Sequence, residues 1–283
     1  MTSAPPGLDG KVVVVTGASR AGGIGRAICR QFAEAGAHVV VSDLGARATP
    51  DGHFEAPEAT ELEACVAEIE AAGGQAIGVS CDVSDGDDVA ALVEAAVQRF
   101  GRLDVFVNNA GIAIESVPLV EVSSAGFRKT QEVNLLGTFH GIKMAARQMI
   151  SQGGGGRIIN TASQAGKSGW PMLSAYSSSK FGVIGLTQVA AKELGKHDIT
   201  VNAVCPGTVD TELNNGPDGS WQMYAREYGI TPEEVKERTL ADIPLGRLQT
   251  PADVADLVTF LASDAGGYIT GEAINTTGGQ EMH

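Results

Sequence analysis

One stretch near the N-terminus constrains the fold more than any other. After Lys11, the run Val12-Val13-Val14-Val15 is continuously apolar. That is the pattern of a strand buried on both faces of a sheet. It leads into Thr16-Gly17-Ala18-Ser19-Arg20-Ala21-Gly22-Gly23-Ile24-Gly25. Ile24, Ala27, Ile28, Phe32 and Ala33 then recur at helical spacing, Gly36 ends the helix, and His38 to Asp43 reads as a second strand. Strand, glycine-rich turn, helix and strand make a parallel βαβ unit. Glycine tolerates positive φ and lets backbone approach a pyrophosphate, while the helix N-terminus favours an anion. Gly17, Ser19, Arg20, Gly23, Ile24 and Gly25 are therefore candidate phosphate-side residues. Asp43 follows about twenty residues on, where a carboxylate can accept hydrogen bonds from a ribose and repel a 2′-phosphate.

The same alternation continues. Ala76 to Cys81, Leu103 to Val107, Arg157 to Asn160, Ile199 to Cys205 and Gly271 to Asn275 read as strands. Helices are expected from about 61 to 72, 87 to 100, 124 to 149 and 251 to 262, with another from the Tyr176 region to Leu194. Strands alternating with helices imply parallel pairing and right-handed crossovers. The expected fold is α/β: one doubly wound Rossmann-type domain over 1–283, with about seven mostly parallel strands flanked by helices. Residues 44–60 form a polar, proline-bearing connection read as a surface insertion. Residues 208–246 read as a polar, irregular, lid-like insertion carrying Trp221, Met223 and Tyr224 among charges. Thr231-Pro232-Glu233-Glu234 and Thr250-Pro251-Ala252-Asp253 each have a threonine N-cap, proline at N1 and a carboxylate at N3.

Reaction chemistry is suggested at Ser163 and at Tyr176-Ser177-Ser178-Ser179-Lys180. Tyr176 and Lys180 share one helix face, a turn apart. A lysine beside a phenol favours the phenolate, so the spacing predicts a Tyr176 pKa below its ordinary value and a general acid/base near neutral pH. Ser163 sits just past an apolar strand, where a hydroxyl can meet a substrate oxygen. An isolated tyrosine and lysine at this spacing would more often be a solvated helix face. Their position after a nucleotide-binding half is what lifts them above that.

Composition sets outer limits. A net charge of −14 argues against nucleic acid or an anionic membrane as partner. The chain has no apolar run long enough to span a bilayer and no basic, apolar leader at Met1 to Gly10. Its cysteines and histidines lack metal-type spacing, so no metal site is expected and free thiols in a reducing cytoplasm fit best.

With these residues in hand, the chain resembles the short-chain dehydrogenase/reductase family over nearly its whole length. The resemblance rests on Thr16-Gly17 to Gly25, Asp82-Val83, Asn108-Asn109-Ala110-Gly111, Asn134, Ser163, Tyr176 to Lys180, and Pro206-Gly207 with Thr208 and Thr211. It implies Tyr176 as acid/base, Lys180 as the group that tunes it and holds the nicotinamide ribose, Ser163 as the substrate-oxygen donor, and Asn134 as support for a proton relay. It further implies that Asp82 and Val83 meet the adenine and that Asn109, Ala110 and Gly111 line the cleft. Pro206, Gly207, Thr208, Val209 and Thr211 would lie at the nicotinamide amide. One departure stands out: five residues separate Gly17 from Gly23, two more than the family pattern has. Arg20 in that longer loop could draw a 2′-phosphate, whereas Asp43 opposes one, and NAD is expected over NADP. The implied activity interconverts a secondary alcohol and a ketone, the substrate being a polyol, sugar or vicinal diol. The alternatives are an NADP-dependent reductase of 3-oxoacyl, steroid or terpenoid ketones, and a non-catalytic dinucleotide-binding regulator. A homotetramer or homodimer is implied as well.

Overall fold

The structure, a computed structural model, describes residues 6–45, 59–217 and 219–283. Seven parallel strands form one sheet: β1 (Val12–Thr16), β2 (His38–Asp43), β3 (Gln75–Ser80), β4 (Val105–Asn108), β5 (Gly156–Thr161), β6 (Ile199–Pro206) and β7 (Ala273–Thr276), in spatial order β3-β2-β1-β4-β5-β6-β7. The order reverses between β1 and β4. In doubly wound sheets ligands bind at such a switch point, outside the carboxyl ends of the strands. The polar connection expected over 44–60 lies for the most part outside the described residues.

The apolar β1 run has a direct structural cause. Val13 and Val15 pack into one hydrophobic cluster with Ile28, Phe32 and Val258, while Val12 and Val14 pack into another with Leu92, Phe106 and Ile142. Successive side chains point to opposite faces, and both faces are covered. One layer holds α1 (Ile24–Glu34), α2 (Ala59–Ala71) and α10 (Pro251–Ala262). The other holds α3 (Gly86–Phe100), α5 (Gly137–Gln152) and α6 (Ser174–Leu194). The β1–β2 register pairs Val12 with His38 and Thr16 with Ser42, which carries the glycine-rich turn and Asp43 to the same sheet edge.

Two expectations need correction. The helix expected over 124–149 is interrupted: α4 (Ser124–Gln131) passes into a π-turn at Glu132–Leu136 before α5 begins. The 208–246 stretch is largely helical, containing α7 (Glu212–Asn215), α8 (Ser220–Tyr228) and α9 (Pro232–Ala241). Its polar composition hid a small core of Trp221, Ala225 and Val235, against which Ile230 and Leu248 pack. Both expected helix starts hold, as reciprocal capping boxes at Thr231–Glu234 and Thr250–Asp253.

Candidate active site

The glycine-rich turn approaches β4 closely. Gly17 has φ +62°, and a Cβ there would sit 2.6 Å from Ala110 Cα. A Cβ on Gly25 would run into the Gly17 carbonyl and lie 2.7 Å from Ala18 Cα and from Asn109 Nδ2. Asn109 holds the turn from behind: its Nδ2 donates to Thr16 O (3.0 Å) and Gly17 O (2.9 Å). The amide of Asn109 thus braces the turn, and Ala110 N adds a bond to Thr16 Oγ1 at 3.2 Å. The α1 N-terminus at Gly23 and Ile24 has no side-chain cap and no acidic residue in its first turn. Its orphan N–H groups suit a pyrophosphate. A backbone cradle closed to any Cβ, at an uncapped helix start, fits a dinucleotide.

Asp43 lies at the end of β2 with its carboxylate already placed. It accepts from Ser19 N (3.0 Å), Ser19 Oγ (2.9 Å) and Leu44 N (2.8 Å). Arg20 reaches across to Glu212 of α7, Nη1 to Oε2 at 2.9 Å. The longer loop is thus tied to the start of the helical insertion. Past β3, Asp82 Oδ1 accepts from Ser84 N and Ser84 Oγ, and the Val83 carbonyl meets His140 Nδ1.

The four residues expected to do chemistry converge beyond β4 and β5. The π-turn swings Asn134 onto Ile112: Asn134 Oδ1 accepts from Ile112 N (2.8 Å), and its Nδ2 donates to Ile112 O (2.9 Å) and Ser179 Oγ (3.0 Å). Lys180 is 3% exposed and donates from Nζ to Thr161 O at 2.7 Å. Gly111 is where the two meet, since a Cβ there would be 3.3 Å from both Asn134 Oδ1 and Lys180 Nζ. Ser163 Oγ accepts from Ala165 N at 3.1 Å. Beyond β6, Gly207 N donates to Gln249 Oε1 and Val209 pairs with Gln249, while Thr211 precedes α7.

The electrostatics correct one expectation. Tyr176 is pushed above its ordinary pKa, chiefly by burial, with the Ser163 hydroxyl pulling the other way. Lys180 is itself pushed down to about 8 by burial. Its ammonium is turned to Thr161 O and lies 5.5 Å from the Tyr176 ring centroid. Desolvation penalises a charge of either sign, and at Tyr176 it outweighs the hydrogen bond with Ser163. Burial thus favours the neutral, proton-donating form of the Tyr176 phenol. Cys205, at the end of β6, is driven up to about 11 by burial.

Sequence reasoning missed four supports: Ile112, Thr161, Ser179 and Gln164. Ile112 and Thr161 act through backbone groups, which side-chain identity does not reveal. Ser179 lies inside the Tyr176–Lys180 segment and was within reach of helical spacing. Gln164 is 5% exposed and its Oε1 is buried with no hydrogen-bond partner.

A parallel sheet with a dinucleotide cradle at its switch point, and a phenol, hydroxyl and ammonium at the adjoining strand ends, defines a nicotinamide-dependent oxidoreductase. The enzymes known as enoyl-(acyl carrier protein) reductases form a family whose profile matches residues 17–281. A short-chain dehydrogenase/reductase of Armillaria gallica is 42% identical over 96% of both chains. A diacetyl reductase ((S)-acetoin forming) of Staphylococcus epidermidis is 39% identical over 95% of this chain and 98% of its own length. A 3-oxoacyl-(acyl-carrier-protein) reductase of Staphylococcus aureus is 39% identical over 96% and 98%. The chain belongs to the short-chain dehydrogenase/reductase family and is an NAD(P)-dependent enzyme of that family.

Proposed function

We propose that this chain is an NAD-dependent dehydrogenase/reductase interconverting a secondary alcohol and a ketone, on a small polyol, sugar or vicinal-diol type of substrate. The observation that carries the reaction is the meeting of Ser163, Tyr176, Lys180 and Asn134 at the ends of β4 and β5. When bound, a nicotinamide gives or takes the hydride. Tyr176 Oη donates its proton to the carbonyl oxygen in reduction and takes it back in oxidation. Ser163 Oγ orients that oxygen. Lys180 Nζ holds charge beside the phenol and reaches a ribose hydroxyl, and Asn134 fixes the Ile112 backbone beneath them. Gly17, Gly23, Ile24 and Gly25 would hold the pyrophosphate. Asp82 and Val83 would take the adenine side, and Pro206, Gly207, Thr208, Val209 and Thr211 the carboxamide side.

Two further features support the finer reading. Asp43 is locked by Ser19 and Leu44 into a position where its charge opposes a 2′-phosphate, and Arg20 is engaged by Glu212. The 3-oxoacyl relative keeps a thioester ketone as the second reading, but the acidic balance of −14 disfavours an acidic carrier protein. Diacetyl, acetoin, 2,3-butanediol and an acetoacetyl thioester, each assayed with both cofactors by nicotinamide absorbance, test the proposal. Turnover confined to the thioester with NADPH would overturn it.

The enzyme is read as a cytoplasmic homo-oligomer. All four cysteines are free and buried, as a reducing compartment permits. Among the described residues no helix is long and apolar enough to cross a membrane. An apolar groove lies between α4–α5 and α6, lined by Phe127, Leu136, Phe139 and Val189, with Arg128 and Glu132 beside them. A second copy about a two-fold axis would cover it and pair opposite charges. The 208–246 helices act as the lid of a single domain.

A further inference from the structure

We infer that Gln280 is a positioning residue that couples the substrate side of the site to the nicotinamide side, and that it does so through its amide oxygen; this rests on the roles just proposed for Ser163 and the Pro206–Thr211 stretch. Gln280 Oε1 accepts from Gln164 Nε2 at 3.1 Å and from Thr208 Oγ1 at 3.1 Å. Gln164 directly follows Ser163 and opens the short turn in which Ser163 Oγ accepts from Ala165 N. Thr208 directly follows Pro206–Gly207 at the end of β6. One oxygen therefore joins the loops beyond β5 and β6, from a segment 116 residues after the first donor and 72 after the second.

That segment is itself fastened. Gly278 and Gly279 have φ of +65° and +94° and turn the chain back after β7. Gly278 O accepts from Leu245 N at 3.2 Å. Glu281 accepts from Ser168 Oγ at 2.5 Å, on the same loop as Gln164, and its backbone carbonyl accepts from Thr277 Oγ1 at 2.9 Å. The Ser168 contact holds the Glu281 carboxyl below its usual pKa, so it stays charged and accepting at neutral pH. Gly207 N is fixed separately, to Gln249 Oε1 at 3.1 Å and Thr276 O at 3.2 Å. The β6 loop is thus anchored to β7, and Gln280 transmits that anchorage to the serine loop. Donor and acceptor of a hydride must be held to within a fraction of an ångström, and a shift of about 1 Å costs on the order of 100-fold.

Because Gln280 acts as acceptor in both bonds, a carboxylate can replace it and a leucine cannot. Gln280→Leu keeps the volume but leaves the Gln164 amide nitrogen without that acceptor. Hydrogen–deuterium exchange of the whole protein is read over 163–168 and 206–211, beside kcat for diacetyl with NADH. The expected result for Gln280→Leu is faster exchange in both segments and a kcat about tenfold lower or worse, with KM for NADH little changed. Gln280→Glu keeps wild-type exchange and kcat within about threefold. Unchanged exchange in Gln280→Leu, or a rise in one segment alone, overturns the coupling. A Gln280→Glu variant as damaged as Gln280→Leu overturns the role of the oxygen. A wild type inert toward diacetyl counts against the substrate reading and leaves the coupling to be decided by exchange.

Discussion

Tyr176 shows what one residue's type can and cannot announce. Its identity and its spacing from Lys180 were legible, but the sign of its pKa shift was not, because desolvation depends on everything packed around it. Tyr176→Phe should retain NADH binding by fluorescence and lose turnover by about 100-fold or more; near-wild-type turnover would sink the acid/base role. Since burial raises the phenol above its ordinary value, kcat/KM for alcohol oxidation should climb with pH into the alkaline range, because oxidation needs Tyr176 without its proton; a profile flat in pH would count against that role. Lys180 has the opposite linkage. Its folded pKa of about 8 lies below the ordinary 10.5, so the unfolded chain binds more protons between those values. Lys180's contribution to stability should therefore rise as pH climbs from about 8 to 10.5, by on the order of 3 kcal/mol, and its cost is fully present below pH 8. Denaturant unfolding of wild type against Lys180→Met across that window measures it; parallel curves would refute the buried ammonium.

At the scale of elements, caps and turns were the most readable features because they are local. Thr231 and Thr250 announced two helix starts through side-chain-to-backbone bonds within one turn, and both are present. Thr250→Ala should cost about 1 kcal/mol in unfolding free energy. The π-turn at Glu132–Leu136 was not readable, since nothing in its composition forbids an ordinary helix. It exists because Asn134 is drawn onto both backbone groups of Ile112, a long-range bond across a loop. The glycine-rich turn illustrates the mixture. Its close approach to β4 was legible in its glycines, while the fate of its extra residues was not, for the Arg20–Glu212 pair spans 192 residues of sequence. Gly25→Ala should weaken NADH binding by tenfold or more in fluorescence titration, because its Cβ collides with the Gly17 carbonyl. Binding at wild-type strength would show that the cradle yields.

At the scale of the whole molecule, the sheet order decides where the site lies. β1 and β4 are neighbours although two strands intervene in sequence. That crossover sets the cofactor cradle and the Tyr176 cluster on either side of the switch point. The exposed apolar groove between α5 and α6 belongs to the same scale. Light scattering should give a mass that is a multiple of 29.1 kDa, and Phe139→Glu in the groove should lower it. An unchanged assembly in that variant would place the subunit contact elsewhere.

By itself the sequence determined the class of fold and its alternation of strands with helices, and it singled out the glycine-rich turn, Ser163, Tyr176, Lys180 and Asn134 as candidates. These follow from periodicity, turn chemistry and local spacing, which act between near neighbours in the chain. Only the tertiary structure decided the helical character of 208–246, the direction of the Tyr176 pKa shift, the bracing of Asn134 by Ile112 and the tie made by Gln280. Each of these depends on burial or on a hydrogen bond between residues distant in sequence, and such terms exist only once the sheet has brought its strand ends together.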